Sequence, residues 1–293
     1  MDVAVDWRTL GWEPGHFYSP IPSLPEVRAR ASRLFVTPRT LPDVELDEAH
    51  QLEVLDAIAA HAPELPFADE PRDGLRYGLR NDYFSYGEAV VLFGMMLRLR
   101  PRRIIEVGSG HSSAAILDIA DRFLGGDVEC TFIEPYPERL LGLLRSEDLA
   151  RVRLVRERVQ DVDVARFDAL DAGDMLVVDS THVTKIGSDV NHLVFNVLPR
   201  LREGVVIHFH DIYYPFEYPQ RWLEQGRYWN EAYLVRAFLQ GNRDVRIEFF
   251  NDFLAAFHAD RLAAALPPFM RAPGSSLWLS RRAAPRAEPP ALG

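Results

Sequence analysis

The chain has one cysteine, Cys130, so no intramolecular disulfide can form, and this usage suits a reducing compartment. Lysine is almost as scarce. Of 33 Lys and Arg residues, only Lys185 is a lysine. A compact ammonium kept where arginine is used everywhere else marks Lys185 as a candidate functional charge, because arginine's planar fork cannot replace it. Basic residues are also outnumbered by 43 acids, for a net charge of −10, and no basic stripe is visible. That balance excludes general nucleic-acid binding. The opening run, Met1-Asp2-Val3-Ala4-Val5-Asp6, lacks the basic start and apolar core of a signal peptide. The longest apolar run near the centre, Ala89–Leu97, is too short to cross a bilayer. These absences predict a cytoplasmic chain with neither nucleic acid nor membrane as a partner. No internal repeat is present.

What the sequence does have is enough apolar residue for a large core: 47% of 293 residues, one α/β domain plus an extension. The stretch Ile104-Ile105-Glu106-Val107-Gly108-Ser109-Gly110-His111-Ser112-Ser113 organises it. β-Branched residues predict a short buried strand, glycines at 108 and 110 a sharp turn, and Ile116, Ala120 and Phe123 one face of a following helix. Glycine admits a ligand where a Cβ would collide, and the first turn of the helix offers it free N–H groups.

Further strands are expected at Thr131–Glu134, Val152–Val155, Asp174–Asp179, Val205–Asp211, Val245–Phe250 and Ser276–Ser280. Helices alternate with them. Ser85 with Glu88 forms a capping box that opens a buried helix running to about Arg98. A helix from Ser188 buries Val190, Leu193, Val194, Val197, Leu198 and Leu201, and Gly204 is expected just past its end. Trp229–Gln240 is another helix. Alternation of this kind predicts a parallel sheet with right-handed crossovers, and ligands bind beyond the carboxyl ends of such strands. The residues at those ends are Glu106–Gly110, Glu134, Asp179–Lys185 and His210–Asp211.

An acid two residues before the first of two glycines, with Ser113 at the third glycine position of a dinucleotide fingerprint, resembles motif I of the class I S-adenosylmethionine (SAM) methyltransferases. The block Val178–Val183, with Ser188–Asn191 and Ile207–Ile212, is similar to the methyltransferase-24-type group, and the resemblance covers about residues 77–280. It implies a Rossmann-like class I methyltransferase fold: a mostly parallel seven-stranded sheet flanked by helices. It also implies SAM as cofactor, held by Glu106, Gly108, Ser109, Gly110, Ser112, Glu134, Gln160, Asp161 and Asp179. Glu134 is the expected ribose ligand, and Gln160 with Asp161 the expected adenine contacts. The implied activity is methyl transfer to a small-molecule acceptor, at oxygen, the acceptor being a sugar or a specialised metabolite.

His182 is the candidate base, since an imidazole titrates near neutral pH. Asp211 would hold or polarise it, and Lys185 would anchor an anionic substrate group. Related O-methyltransferases hold magnesium at the same strand ends. If an ion binds here, its expected ligands are Asp179, His210 and Asp211, although an imidazole suits magnesium poorly and favours a metal-free site. Expected substrate contacts are Phe17, Tyr18, His210, Tyr213 and Tyr214. Residues 1–75 form an N-terminal extension that can close over the site, residues 76–282 the SAM-binding domain, and residues 283–293 a disordered tail. Within the extension, Leu46–Ala60 is expected to be a helix, and Pro63, Pro66 and Pro71 to mark a linker. Two rival readings are a metal-dependent hydroxylase-like enzyme on this fold and a SAM-binding protein without turnover. Homodimer formation is left open.

Overall fold

The structure, a computed structural model, describes residues 11–72 and 74–282. The expected tail at 283–293 lies outside them. Seven strands form one sheet: β1 (Arg103–Val107), β2 (Glu129–Ile133), β3 (Arg153–Val155), β4 (Met175–Val178), β5 (Val206–Phe209), β6 (Val245–Phe250) and β7 (Leu277–Arg281). Their spatial order is β3-β2-β1-β4-β5-β7-β6. The first five pair in parallel, while β7 runs antiparallel to both β5 and β6. Central strands read as apolar runs because both their faces are covered: Ile104, Ile105 and Val107 on β1, and every residue of β4, are buried. The order reverses between β1 and β4, which opens a crevice at their carboxyl ends.

Four helices among the described residues exceed two turns: α1 (Glu48–Ala59), α2 (Tyr86–Leu99), α3 (His111–Phe123) and α4 (Glu231–Leu239). The expected capping box opens α2, where the Ser85 N–H donates to Glu88 Oε2 at 2.9 Å. All six residues expected to be buried after Ser188 are, Leu201 just past the helix end, but the helix is irregular. One α-turn, Asp189–His192, passes into a π-turn, Leu193–Val197, and then a 3-10 turn, Leu198–Arg200. Pro199 lacks an N–H and cannot continue the α-ladder. Arg200 therefore ends the helix, and Gly204 lies in the turn to β5 rather than at the helix end.

Packing is continuous from the extension into the sheet. On α1, Val54, Leu55 and Ile58 are buried, and the helix lies against α2 and β6. Just after the boundary expected at residues 75–76, the N–H groups of Arg76 and Tyr77 both donate to Asp118 of α3. The Arg76 guanidinium, itself buried, pairs with Asp118, Asp121 and Asp148. By contrast, no residue from 11 to 40 is buried. No helix among the described residues is long and apolar enough to cross a membrane.

Candidate active site

The turn after β1 is built for glycine. Gly108 has φ +78°, and a Cβ there would lie 1.6 Å from the Asp179 carbonyl oxygen. Past it, the Ser109 N–H donates to Glu134 Oε2 at 3.1 Å, and the Tyr136 N–H donates to the other oxygen at 2.8 Å. Ser113 takes the place of a third glycine for a visible reason. Its hydroxyl accepts from the Gly110 N–H at 3.0 Å and donates to Glu106. Glu106 is fully buried beneath the loop. Burial pushes its pKa up to about 7, against nearby serine hydroxyls, Ser113 among them, that pull it down.

A cavity of about 1120 Å³ lies over these strand ends. Gly108, Ser109, Gly110, Ser112, Glu134, Asp179, His182, His210, Asp211 and Tyr213 all line it. Other expected site residues do not. Glu106 acts from below the loop. Gln160 donates to the Gly187 carbonyl and Asp161 pairs with Arg158, and neither lines the cavity. Lys185 is exposed in the loop after β4 and only its backbone is engaged, with Ser188 and Asn191. Phe17 and Tyr18 are 81% and 66% exposed, meet each other at a tilt of 56°, and do not line the cavity. Tyr214 turns into the core among Phe250, Phe253 and Phe257, and its hydroxyl donates to the Pro38 carbonyl.

The cavity floor is a set of acids and imidazoles. His182 has φ +60°, and its carbonyl accepts from the Asn230 and Glu231 N–H groups at 3.0 and 3.1 Å. Its ring Nδ1 lies 2.8 Å from Glu231 Oε2, while Nε2 faces Asp179 at 3.4 Å and Asp211 at 3.7 Å. Burial disfavours the His182 cation, but Asp179 and Glu231 outweigh it and hold the pKa well above 6.5. His210 is also buried. Burial again opposes its charge, and Glu88, Asp179 and Asp211 prevail, raising the pKa to about 9. Its neighbour on β5, His208, packs against Trp278, and burial together with the His210 charge pushes its pKa down to about 3. The Asp211 carboxylate accepts from Ser275 Oγ at 2.9 Å.

A family model described as "Methyltransferase domain" matches residues 105–212, the span from the glycine turn to the end of β5. The chain is also 34% identical over 164 residues to an uncharacterized protein of Archaeoglobus fulgidus, across 54% of this chain and 73% of the relative. The chain belongs to the methyltransferase-domain family. This methyltransferase has the class I, Rossmann-like sheet that the sequence predicts, with one antiparallel strand, β7. Among solved structures it is similar to CmcI with Mg and SAM (17% identity, 88% of this chain and 96% of that one, TM-score 0.41). It is similar too to the O-methyltransferase TomG of Streptomyces achromogenes, involved in tomaymycin synthesis and solved with SAM (17%, 88% and 96%, TM-score 0.44). A third is an O-methyltransferase of Bacillus cereus in complex with SAH (14%, 76% and 88%, TM-score 0.39).

The methyltransferase also carries a group of side chains with the reach of a metal site, but not the expected set. Ligand atoms of Glu88, His210 and Asp211 lie within 4.8 Å of one another, and Asp179 sits instead beside His182. His210 Nε2 is used by the Tyr83 carbonyl at 3.1 Å. Its Nδ1 is buried without a hydrogen-bond partner and lies 3.6 Å from Glu88 Oε1. An orphaned imidazole nitrogen beside the Glu88 carboxylate, with Asp211 in reach of the same ring, fits a divalent cation, and the mixed N/O set suits manganese, iron or zinc better than magnesium.

Several residues of the site escape a reading of sequence alone. Glu88 has an obvious local role in the capping box, which hides its place in the cavity. Glu231 is 49 residues from His182 and looks like an ordinary first-turn acid. The wall of the cavity with Arg221, Trp222, Arg227 and Trp229 falls in a stretch without periodicity. Only its density of aromatic and basic residues could have signalled it.

Proposed function

We propose that this methyltransferase uses SAM to methylate a hydroxyl oxygen of a small molecule, in the class of sugars or specialised metabolites. The observation that carries the reading is convergence. The glycine turn, Glu134, and the His182–Asp211 floor meet in one cavity although they are spread over residues 108–211. Bound SAM supplies an electrophilic methyl group on a sulfonium. The residues present suit it: Gly108 lets the turn close tightly against the Asp179 carbonyl, Gly110 lines the cavity, and Glu134 and Asp179 line it with carboxylates.

The remaining work falls to the chain's own groups. Glu231 engages Nδ1 of His182 and so leaves Nε2 directed at the floor of the cavity. Neutral His182 takes the acceptor's hydroxyl proton at Nε2, and Asp179 and Asp211 stabilise the resulting imidazolium. Walls around the cavity hold the acceptor in line for displacement and exclude water. If a divalent ion is present, Glu88, His210 and Asp211 would hold it, and it would lower the pKa of the acceptor hydroxyl. Residues 11–40, the exposed part of the extension, form an adjustable cover, and Arg28 reaches Glu224 beside the cavity wall at 3.0 Å. The proposal places the protein in the cytoplasm, where the buried thiol of Cys130 stays reduced.

The test is incubation with SAM and a hydroxylated metabolite library, followed by mass spectrometry. S-adenosylhomocysteine (SAH) and a product heavier by one methylene support the reading. Oxygen consumption without SAH would replace it with the hydroxylase-like alternative. Binding of SAM without any turnover would leave a binding protein.

A further inference from the structure

The cavity wall beside the acid floor has its own chemistry. It is formed by the short helix Gln220–Glu224 and the loop after it. Gly226, with φ +80°, turns the chain back, so that the Arg227 N–H donates to the Trp222 carbonyl at 2.9 Å. The Arg227 guanidinium then lies over two indoles, 5.0 Å from the centroid of Trp222 and 5.6 Å from that of Trp229. Trp222 and Trp229 meet edge to face at 4.9 Å, and Trp229 lies 4.4 Å from the His182 ring. Tyr213 closes the other side of Trp222 at 5.0 Å. Arg221 lines the same wall.

These two arginines have unspent donors. Among the described residues, neither guanidinium donates a hydrogen bond to a protein atom, and neither is in an ion pair with a carboxylate. Arg227 lies over the indoles of Trp222 and Trp229. Cation–π contact of that kind leaves the N–H edge of the guanidinium free for a planar or tetrahedral anion. The order Arg227, Trp229, His182 separates the cation from the imidazole by one aromatic residue.

From this we infer that the acceptor carries an anionic group, a carboxylate or a phosphate, on an aromatic body. The anion binds Arg221 and Arg227, the ring packs against Trp222 and Trp229, and the hydroxyl to be methylated reaches His182. The inference rests on the methyl-transfer reading and narrows its substrate class. It also moves the anion-anchoring role from Lys185, which lies outside the cavity, to the arginine wall.

The test uses wild type and the Arg221→Ala/Arg227→Ala double variant, each with SAH present. Both are titrated calorimetrically with 3,4-dihydroxybenzoate, with its neutral amide, and with phenyl phosphate. Wild type should bind at least one anion about tenfold more tightly than the amide, as expected for charge-assisted hydrogen bonds. In the double variant that preference should fall to about one, with the amide little changed. Whether benzoate or phosphate shows the larger preference identifies the anion. Absence of any preference for either anion in wild type, including failure of all three to bind, overturns the inference. So does an undiminished preference in the variant. Failure of wild type to bind SAH strikes instead at the methyl-transfer reading, and the anion-to-amide ratio still scores the wall separately.

Discussion

Glu231 holds His182 twice: its carboxylate lies 2.8 Å from the ring Nδ1, and its backbone N–H donates to the His182 carbonyl at 3.1 Å. One residue at the start of α4 thus sets both the rotation of the imidazole and the left-handed backbone that carries it. Burial disfavours the His182 cation, but the carboxylates at 179 and 231 outweigh it and hold the pKa well above 6.5. The acid limb of kcat/KM should therefore lie on the alkaline side of the usual histidine range. Glu231→Gln removes a charge that favours the imidazolium, so the limb should move to lower pH while the maximal rate falls. A limb that stays at the same pH in the variant would show that His182 is not the group titrating.

Arg76 should be a keystone of stability. Its side chain is 2% exposed and pairs with Asp118 and Asp148, which are equally buried. Arg76→Met leaves both carboxylates without their main cation, although Arg151 still reaches Asp148 at 3.2 Å. Removing one partner of a buried ionic group costs about 3–5 kcal/mol. Urea denaturation should show a loss in that range. A loss under about 1 kcal/mol would mean that the network contributes little.

Metal dependence separates two ways of deprotonating the acceptor. With His182 as base, activity should survive excess chelator. Loss of activity to chelator and recovery with a single divalent ion would transfer that step to an ion held by Glu88, His210 and Asp211. In that case Glu88→Gln should abolish the recovery, and manganese or zinc should restore more activity than magnesium.

Removing residues 1–35 should leave the fold intact, since the first buried side chain beyond them is Leu41. The Arg28–Glu224 contact beside Trp222 predicts a raised KM for the acceptor, with SAM affinity unchanged. A folded truncated protein with unaltered KM and kcat would show that the segment plays no part in closure.

Much of the fold is legible because parallel strands covered on both faces appear as apolar runs, and acids or glycines punctuate their carboxyl ends. That pattern by itself locates Glu134, Asp179, His182, His210 and Asp211 at one edge of the sheet. Legibility fails where a residue's local and tertiary roles differ. Glu88 is both a helix cap and a cavity acid, and only the first role leaves a local pattern. Tyr213 and Tyr214 are neighbours in a loop without periodicity, and nothing in the sequence says that only the first faces the cavity. Lys185 stands out by composition, but rarity of a residue type does not place its side chain. Glu106 carries the family motif, yet it works through Ser113 on the Gly110 backbone rather than at the cavity surface.

The most direct test of a SAM site at the turn after β1 is calorimetric titration of SAM into wild type and Gly110→Val. Gly110 lines the cavity, and a Cβ there would meet the flexible Arg139 side chain at 3.2 Å rather than backbone, so Arg139 has to shift by a few tenths of an ångström. A branched side chain would nevertheless fill the space beside the loop that glycine keeps open. The account predicts binding by wild type and at least about a hundredfold weaker binding by the variant, a difference near 2.7 kcal/mol, with thermal unfolding little changed. Equal SAM affinity in the two proteins, or no binding by wild type, would contradict it.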